Sequence, residues 1–420
     1  MSNRSITAIV AIAMFIGMWA YVVRVANPNI HRQAAISGDR AGELGDLYPR
    51  WYGTQQLVLH GQNPYGRQVS EDLQLAYYGN IEHSGRRDEQ RFAYPIYVSF
   101  FLLPTVNLAF SQVRVIASVV MAVAVAISVP LWVEFIGWHL PRWRVVVLVL
   151  LVLSCSPAVQ ALEMQQISAL VCGFMAAGAF LLRRRAYVSS GIFFALATIK
   201  PQMVFLLYIW LFLWTLSKWH ERKNLLLSLA AGIGALTLAG QWMVPGWLGQ
   251  FISAILAYRQ YAGDSAQSIV EMSFGHVVGD FLVYAILCGL AVACVRGRME
   301  PVDSPKFSHA VALVLTISTV VLPPAAPYNH LLLLPGVLIL LHECSSLWES
   351  GRVVAGVSVL ATGAILWPWV AAIGILLVSF FTPVRGWALP FYCSLIVPLS
   401  VAALLVLPRM NLPLSKVRSL

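Results

Sequence analysis

Long apolar runs separated by short polar breaks organise this chain from end to end. The first, residues 6–25, matches the roughly 20 residues a helix needs to cross a hydrocarbon core. It is too long for a signal peptide and no small-residue cleavage site follows it, so a retained helix is expected. Further apolar helices are expected over 115–134, 145–156, 167–182, 188–198, 203–216, 224–244, 278–295, 310–321 and 331–341. The stretch 353–407 holds two or three more, because Trp367, Pro368 and Trp369 interrupt it.

Two apolar stretches fit less well. Residues 95–110 are short and interrupted by Pro104, and 247–261 are rich in aromatic residues. Both read as helices lying in a membrane interface. For the first, counting supports this: if 95–110 also crossed, the basic groups at Arg142 and at 183–185 would fall outside.

Composition agrees with a lipid-embedded chain. Of 420 residues, 59% are hydrophobic and 11% charged, against roughly 25% charged in a soluble domain. Residues 1–420 are read as one integral-membrane unit, all-α, a polytopic transmembrane helical bundle of about twelve helices. No internal repeat or low-complexity tract is visible.

The charge pattern orients the bundle. Lys and Arg number 28 against 18 acids, a formal charge of +10. In a soluble protein that excess would suggest nucleic acid; here it matches cytoplasmic loops under the positive-inside rule, so the expected partners are membrane lipids and no nucleic acid. The basic clusters are Arg142 with Arg144, 183–185, 218–223, Arg296 with Arg298, and the tail from Arg409 to Arg418. Between residues 26 and 94 the balance differs. Eight acids (Asp39, Glu43, Asp46, Glu71, Asp72, Glu82, Asp88, Glu89) meet seven Arg and no Lys. That segment is placed outside, which makes 26–113 an outer loop and puts Lys200 on the same side.

Chemistry concentrates on that outer side. The strings Gly45-Asp46-Leu47-Tyr48-Pro49-Arg50-Trp51-Tyr52 and His60-Gly61-Gln62-Asn63-Pro64-Tyr65 mix carboxylate, aromatic and glycine. Asp46, flanked by apolar and aromatic residues rather than by other charges, is the best candidate base. Lys200-Pro201-Gln202 separates two apolar helices: Lys200 is either a snorkelling interfacial lysine or a cation for a lipid phosphate. His330, in Pro327-Tyr328-Asn329-His330, is either a satisfied interfacial side chain or a second phosphate ligand. Glu163, Gln165, Gln166 and Ser168 sit at a helix junction and serve either packing or binding. His276 and Asp280 share a helix face but make neither a zinc site nor a triad alone. The six cysteines (Cys155, Cys172, Cys288, Cys294, Cys344, Cys393) show no CxxC spacing, and no Walker A, GxGxxG, HExxH or GxSxG occurs. No cofactor and no metal is expected.

These residues resemble glycosyltransferase family 87, polytopic enzymes of GT-C type that include polyprenyl-phosphomannose-dependent mannosyltransferases. The resemblance rests on Asp46-Leu47-Tyr48 with Trp51, Gly61-Gln62-Asn63-Pro64-Tyr65, Phe92-Ala93-Tyr94-Pro95, Gln165-Gln166-Ile167-Ser168, Gly191 through Ala197 to Lys200-Pro201-Gln202, Gln267-Ser268, and Pro327-Tyr328-Asn329-His330 with Pro335. This chain departs from the family pattern at Gln165, Ile96 and Ala266, where the family has Gly, a second Pro and Asn. The resemblance implies a GT-C fold with interfacial helices in the first outer loop. It implies inverting transfer of a sugar (mannose or a similar hexose or pentose) from a polyprenyl-phosphate donor to a lipid or glycan hydroxyl. The site would face the outside of the cell membrane. Asp46 would be the general base; Lys200 and His330, with Arg50 or Arg259, would hold the donor phosphate; Tyr48, Trp51, Asn63, Tyr65, Gln166, Gln202 and Tyr328 would contact substrate. Rival readings are a transporter or flippase of lipid-linked sugars, and a lipid-linked glycan ligase or polymerase. The scarcity of charge in mid-helix favours chemistry at an interface over a transport path.

Overall fold

A computed structural model describes residues 3–81, 89–262, 267–392 and 394–410, with side chains left undescribed at Asn3, 259–262 and 408–410. Glu82, Asp88, Ala266, Cys393 and the tail beyond Met410 therefore lie outside the described residues, as do the side chains of Arg259 and Arg409.

The described residues are helical, with no strand among them. Among the described residues six helices are long and apolar enough to cross a membrane: Arg4–Ser37, Phe110–Ile136, Trp219–Met243, His276–Gly297, Arg352–Val378 and Leu389–Leu407. A seventh results if Arg142–Leu153 and Ser156–Glu163, bent by 58° at Ser154-Cys155, count as one span. At 1.5 Å per residue the 27 residues of Phe110–Ile136 reach about 40 Å, more than the roughly 30 Å hydrocarbon thickness. By contrast, Tyr187–Ala197 and Phe205–Ser217 have 11 and 13 residues, about 16 and 20 Å, too short to span alone. Ser168–Arg183, Pro305–Val321 and Pro327–His342 are further short apolar helices. Against an expectation of about twelve helices, the described residues thus hold six or seven full-length apolar helices and a set of shorter ones.

Three segments differ from the pattern-based expectation. The first helix does not stop near Val25: a π-helical turn, Val22–Ala26, carries it into Asn27–Ser37, and this local π adjustment directly before Pro28 accommodates its missing N–H. The 95–110 stretch, expected as one short non-crossing helix, is short and apolar as expected but irregular. It forms three short turns, Ile96–Val98, Ser99–Leu102 and Leu103–Thr105, with Ile96, Tyr97, Val98 and Ser99 buried. Pro368 does not break its helix, since Arg352–Val378 runs through it; neighbouring helices re-satisfy freed backbone groups in such bundles. Trp369 there donates from Nε1 to Ser154 Oγ at 3.1 Å, which ties this helix to the bend after Leu153.

A core of tryptophan and phenylalanine packs at the helix ends beside the basic loops, where Trp214 Nε1 donates to Glu300 O at 2.9 Å and Arg222 stacks 3.7 Å over its ring. Trp132, Phe135, Trp210, Trp214 and Phe307 are fully buried, with Phe307 4.9 Å from both Trp210 and Trp214 ring centres. Above this core, four interruptions in helical structure meet: the start of Leu47–His60, the 164–167 turn, the 198–204 break, and the 3₁₀ segment Pro327–Leu333. Irregular backbone is tolerated there because protein buries it.

Candidate functional site

Backbone geometry sets the first interruption. Gly45 has φ +64° and ψ −179°, a conformation open almost only to glycine. A Cβ there would also lie 2.7 Å from Gln165 Oε1 and 3.0 Å from the Met164 carbonyl oxygen. That approach lets the Asp46 N–H donate to Met164 O at 2.8 Å. Asp46 is then the N-cap of Leu47–His60, but its carboxylate makes no capping hydrogen bond. An aspartate at this position usually accepts from the second or third N–H of its helix. Here it instead accepts from Gln166 Nε2.

Gln166 joins the acid to a cation. Its Oε1 accepts from Lys200 Nζ at 3.2 Å, and the same ammonium donates to Asn329 Oδ1 at 2.9 Å. Lys200 is 3% exposed and Gln166 2%. The Lys200 Nζ also stands 4.6 Å from the Tyr328 ring centre, a cation–π contact strengthened by desolvation. One helical turn beyond Asp46, on the same face, Arg50 stacks 3.9 Å over the Tyr94 ring.

Hydrogen bonds brace these elements together. Trp51 Nε1 donates to Thr105 O at 3.2 Å, Gln55 Nε2 to Val106 O at 2.8 Å, and Thr54 Oγ1 to Ser99 Oγ at 2.9 Å. They bolt the Leu47–His60 helix onto the buried 96–106 stretch. Tyr97 OH, from that stretch, lies 3.0 Å from both the Thr198 carbonyl and its Oγ1, at the Lys200 break. The base and the cation are therefore held by one connected frame.

The groups open onto a cavity of about 620 Å³, lined on one side by Asp46, Arg50, Arg91, Gln166, Lys200 and Gln202, and on another by Phe205, Phe251, Ile255 and Leu322. That size suits a small-molecule or lipid head-group site. Tyr94, Tyr258 and Tyr328 complete the wall. Phe251, Ile255 and Tyr258 recur at helical spacing on Trp247–Ala262, so this helix turns one face to the cavity and leaves Leu248, Ile252 and Leu256 exposed.

Burial shifts both key ionisations. It pushes the Asp46 carboxyl above its ordinary range, against the opposing pull of Arg50 and Lys200. It pulls the Lys200 ammonium down to about 7, helped by Arg50 and opposed by Asp46. Desolvation disfavours the charged form of each.

Of the residues singled out from sequence, Asp46, Arg50, Gln166, Lys200, Gln202 and Tyr328 come together around the cavity. His330 does not line it: the ring is buried, its Nε2 is without a hydrogen-bond partner, and Tyr328 and Asn329 take the positions nearer the lysine. Tyr48 packs at 4.8 to 5.9 Å against Trp51, Tyr52, Tyr77 and Phe110, and Trp51 is buried beneath it. Asn63 bonds Gln250 Oε1 at 2.6 Å and accepts from the Tyr65 N–H, while Tyr65 OH donates to Tyr94 O at 2.6 Å. These four brace the wall from behind. Arg259's side chain lies outside the described residues. Asn329 and Tyr94 both lie within the strings quoted above but carried no assigned role; Asn329 stands beside His330, whose residue type has the more familiar chemistry.

The sequence model of glycosyltransferase family 87 matches residues 92–323, more than half of the chain. None of the curated proteins matches it.

Proposed function

The chain belongs to glycosyltransferase family 87 and carries several helices able to span a membrane, and from that premise we propose that it transfers a sugar from a polyprenyl-phosphate donor to a lipid or glycan hydroxyl. The site faces the outside of the cell membrane, and transfer inverts the anomeric centre. The observation that carries this reading is the meeting, in one cavity, of a carboxylate freed from its capping role with two cations, Arg50 and Lys200.

The roles follow from placement. The acceptor oxygen attacks the anomeric carbon as the bond from that carbon to the phosphate oxygen breaks. The hydroxyl proton passes to Asp46, and the electron pair leaves with the polyprenyl phosphate, whose charge Lys200 and Arg50 hold. The sugar passes through an oxocarbenium-like state. A carboxyl held above its ordinary range makes a better base for that proton. Gln202 and Tyr328 offer hydrogen bonds to sugar hydroxyls, and the wall of Phe205, Phe251, Ile255 and Leu322 receives the first isoprene units. His330 is set aside from the phosphate, because Lys200 and Arg50 occupy the cavity and it does not. Tyr48, Trp51, Asn63 and Tyr65 act by supporting the wall.

Purified chain in lipid vesicles, given a polyprenyl-phosphohexose labelled in the sugar together with envelope lipids, tests the reading. Label should appear in a new glycolipid or glycan of opposite anomeric configuration, and a nucleotide-sugar should not replace the donor. Passage of the intact labelled donor across the vesicle, with no new product, would overturn it in favour of a flippase.

A further inference from the structure

Gln166 hydrogen-bonds both the carboxylate and the ammonium: Nε2 donates to Asp46 Oδ2 while Oε1 accepts from Lys200 Nζ. It is anchored at a helix break rather than on a flexible surface. The Gln166 N–H donates to Ala161 O at 2.7 Å, and Gln165 before it adopts φ +48°, held by bonds from its Nε2 to Leu162 O and Glu163 O. A neutral amide thus stands between two charges of opposite sign in a buried setting.

We propose that Gln166 is a positioning residue that keeps Asp46 and Lys200 from pairing with each other, so that the carboxylate stays basic toward the acceptor and the ammonium stays free for the donor phosphate. This rests on the transfer reading given above. Directly paired, the two charges would satisfy each other: an opposite charge within about 4–6 Å favours both ionised forms, weakening the base and occupying the cation. The amide dipole instead offers each charge its matching end at no net charge. The other charged or titratable groups facing this pair are Arg50 on the Leu47–His60 helix, Tyr77 on Arg67–Tyr78, Tyr94, Tyr258 on Trp247–Ala262 and Tyr328 on the 3₁₀ segment, with Arg91 farther along the wall. None of them bridges the acid and the lysine.

The test compares Gln166→Ala and the isosteric Gln166→Glu with the unaltered chain by two readouts. In the first, brief labelling with acetic anhydride over a pH series, read on the peptide containing Lys200, gives the pH at which that amine becomes reactive. Both variants should move this midpoint upward by about one pH unit or more, since a carboxylate then contacts the ammonium directly. In the second, sugar transfer from a polyprenyl-phosphohexose should lose about 10²-fold in kcat in Gln166→Ala with little change in donor KM, as misplacement of reacting groups does. A labelling midpoint unmoved in Gln166→Ala, or in Gln166→Glu should the alanine variant fail to fold, overturns the proposal, as does an unchanged kcat. Labelling needs no turnover: a shifted midpoint in a chain that transfers no sugar keeps the positioning inference and removes the transferase reading.

Discussion

Lys200→Met removes a buried cation while keeping an unbranched stem of similar length, and it couples a pH-dependent change in stability to a loss of activity. In the folded chain the amine titrates at about 7 rather than at its ordinary 10.5. At 1.36 kcal/mol per tenfold change, this costs the folded state roughly 4 kcal/mol at pH 7, where the unfolded amine is fully charged. Methionine removes that cost but leaves Gln166 Oε1 and Asn329 Oδ1 without their shared donor, a loss of about 1–3 kcal/mol for each group that finds no substitute. The absolute change is a difference of similar terms; its pH dependence is not. Between 7 and 10.5 the unfolded state binds more protons than the folded one, so the unaltered chain gains stability as pH rises. The stability of Lys200→Met relative to the unaltered chain should therefore fall by roughly 3 kcal/mol from pH 6 to pH 9. Thermal unfolding in detergent at both pH values reads this as a midpoint difference that moves against the methionine variant as pH rises. Transfer should meanwhile fall about 10²- to 10³-fold, the usual result of removing one group that holds transition-state charge. A midpoint difference that stays constant with pH would refute the burial argument, and undiminished transfer would refute the phosphate role.

Other expectations bear on separate parts of the site. Gly45→Ala, forced to hold φ +64° and ψ −179° with its methyl 2.7 Å from Gln165, should cost about 1–3 kcal/mol of stability from backbone strain and lower transfer further by displacing Asp46, measured as a drop in unfolding midpoint alongside kcat. The pH profile of kcat/KM should be a narrow bell. Its acid limb lies above the ordinary carboxylate range because Asp46 must be ionised and burial raises its pKa, and its alkaline limb lies near 7 because Lys200 must be charged. Lys200→Arg, which keeps its charge at all accessible pH values, should remove the alkaline limb; a limb that persists near 7 would assign it to another group.

Much of the bundle was legible in the run of apolar residues, because hydrocarbon solvent demands long uninterrupted helices and the sequence shows where they stop. Phe110–Ile136, Trp219–Met243 and His276–Gly297 contain their expected cores. For residues 95–110 the length and the proline were visible, and the segment is indeed short and apolar, while the partners of Tyr97 and Ser99, at Thr198 and Thr54, were not. The continuous helix through Pro368 likewise depends on neighbours that periodicity does not reveal. At the site, residue type pointed to Asp46 and Lys200, but their relation did not follow from it. Gln166 meets Asp46 across 120 positions and Lys200 meets Asn329 across 129, through helix breaks that only tertiary packing superposes. Asn329 rather than its neighbour His330 reaches the lysine because the 3₁₀ turn of Pro327–Leu333 aims consecutive side chains at different surroundings.

The most direct measurement is sugar transfer by purified Asp46→Asn, assayed in vesicles with a labelled polyprenyl-phosphohexose and compared with the unaltered chain at the same unfolding midpoint. The asparagine keeps the shape and can still bond Gln166 but cannot take the acceptor proton, so transfer should fall about 10²- to 10⁴-fold with donor binding retained. Turnover within a few-fold of the unaltered chain would mean that Asp46 is not the base.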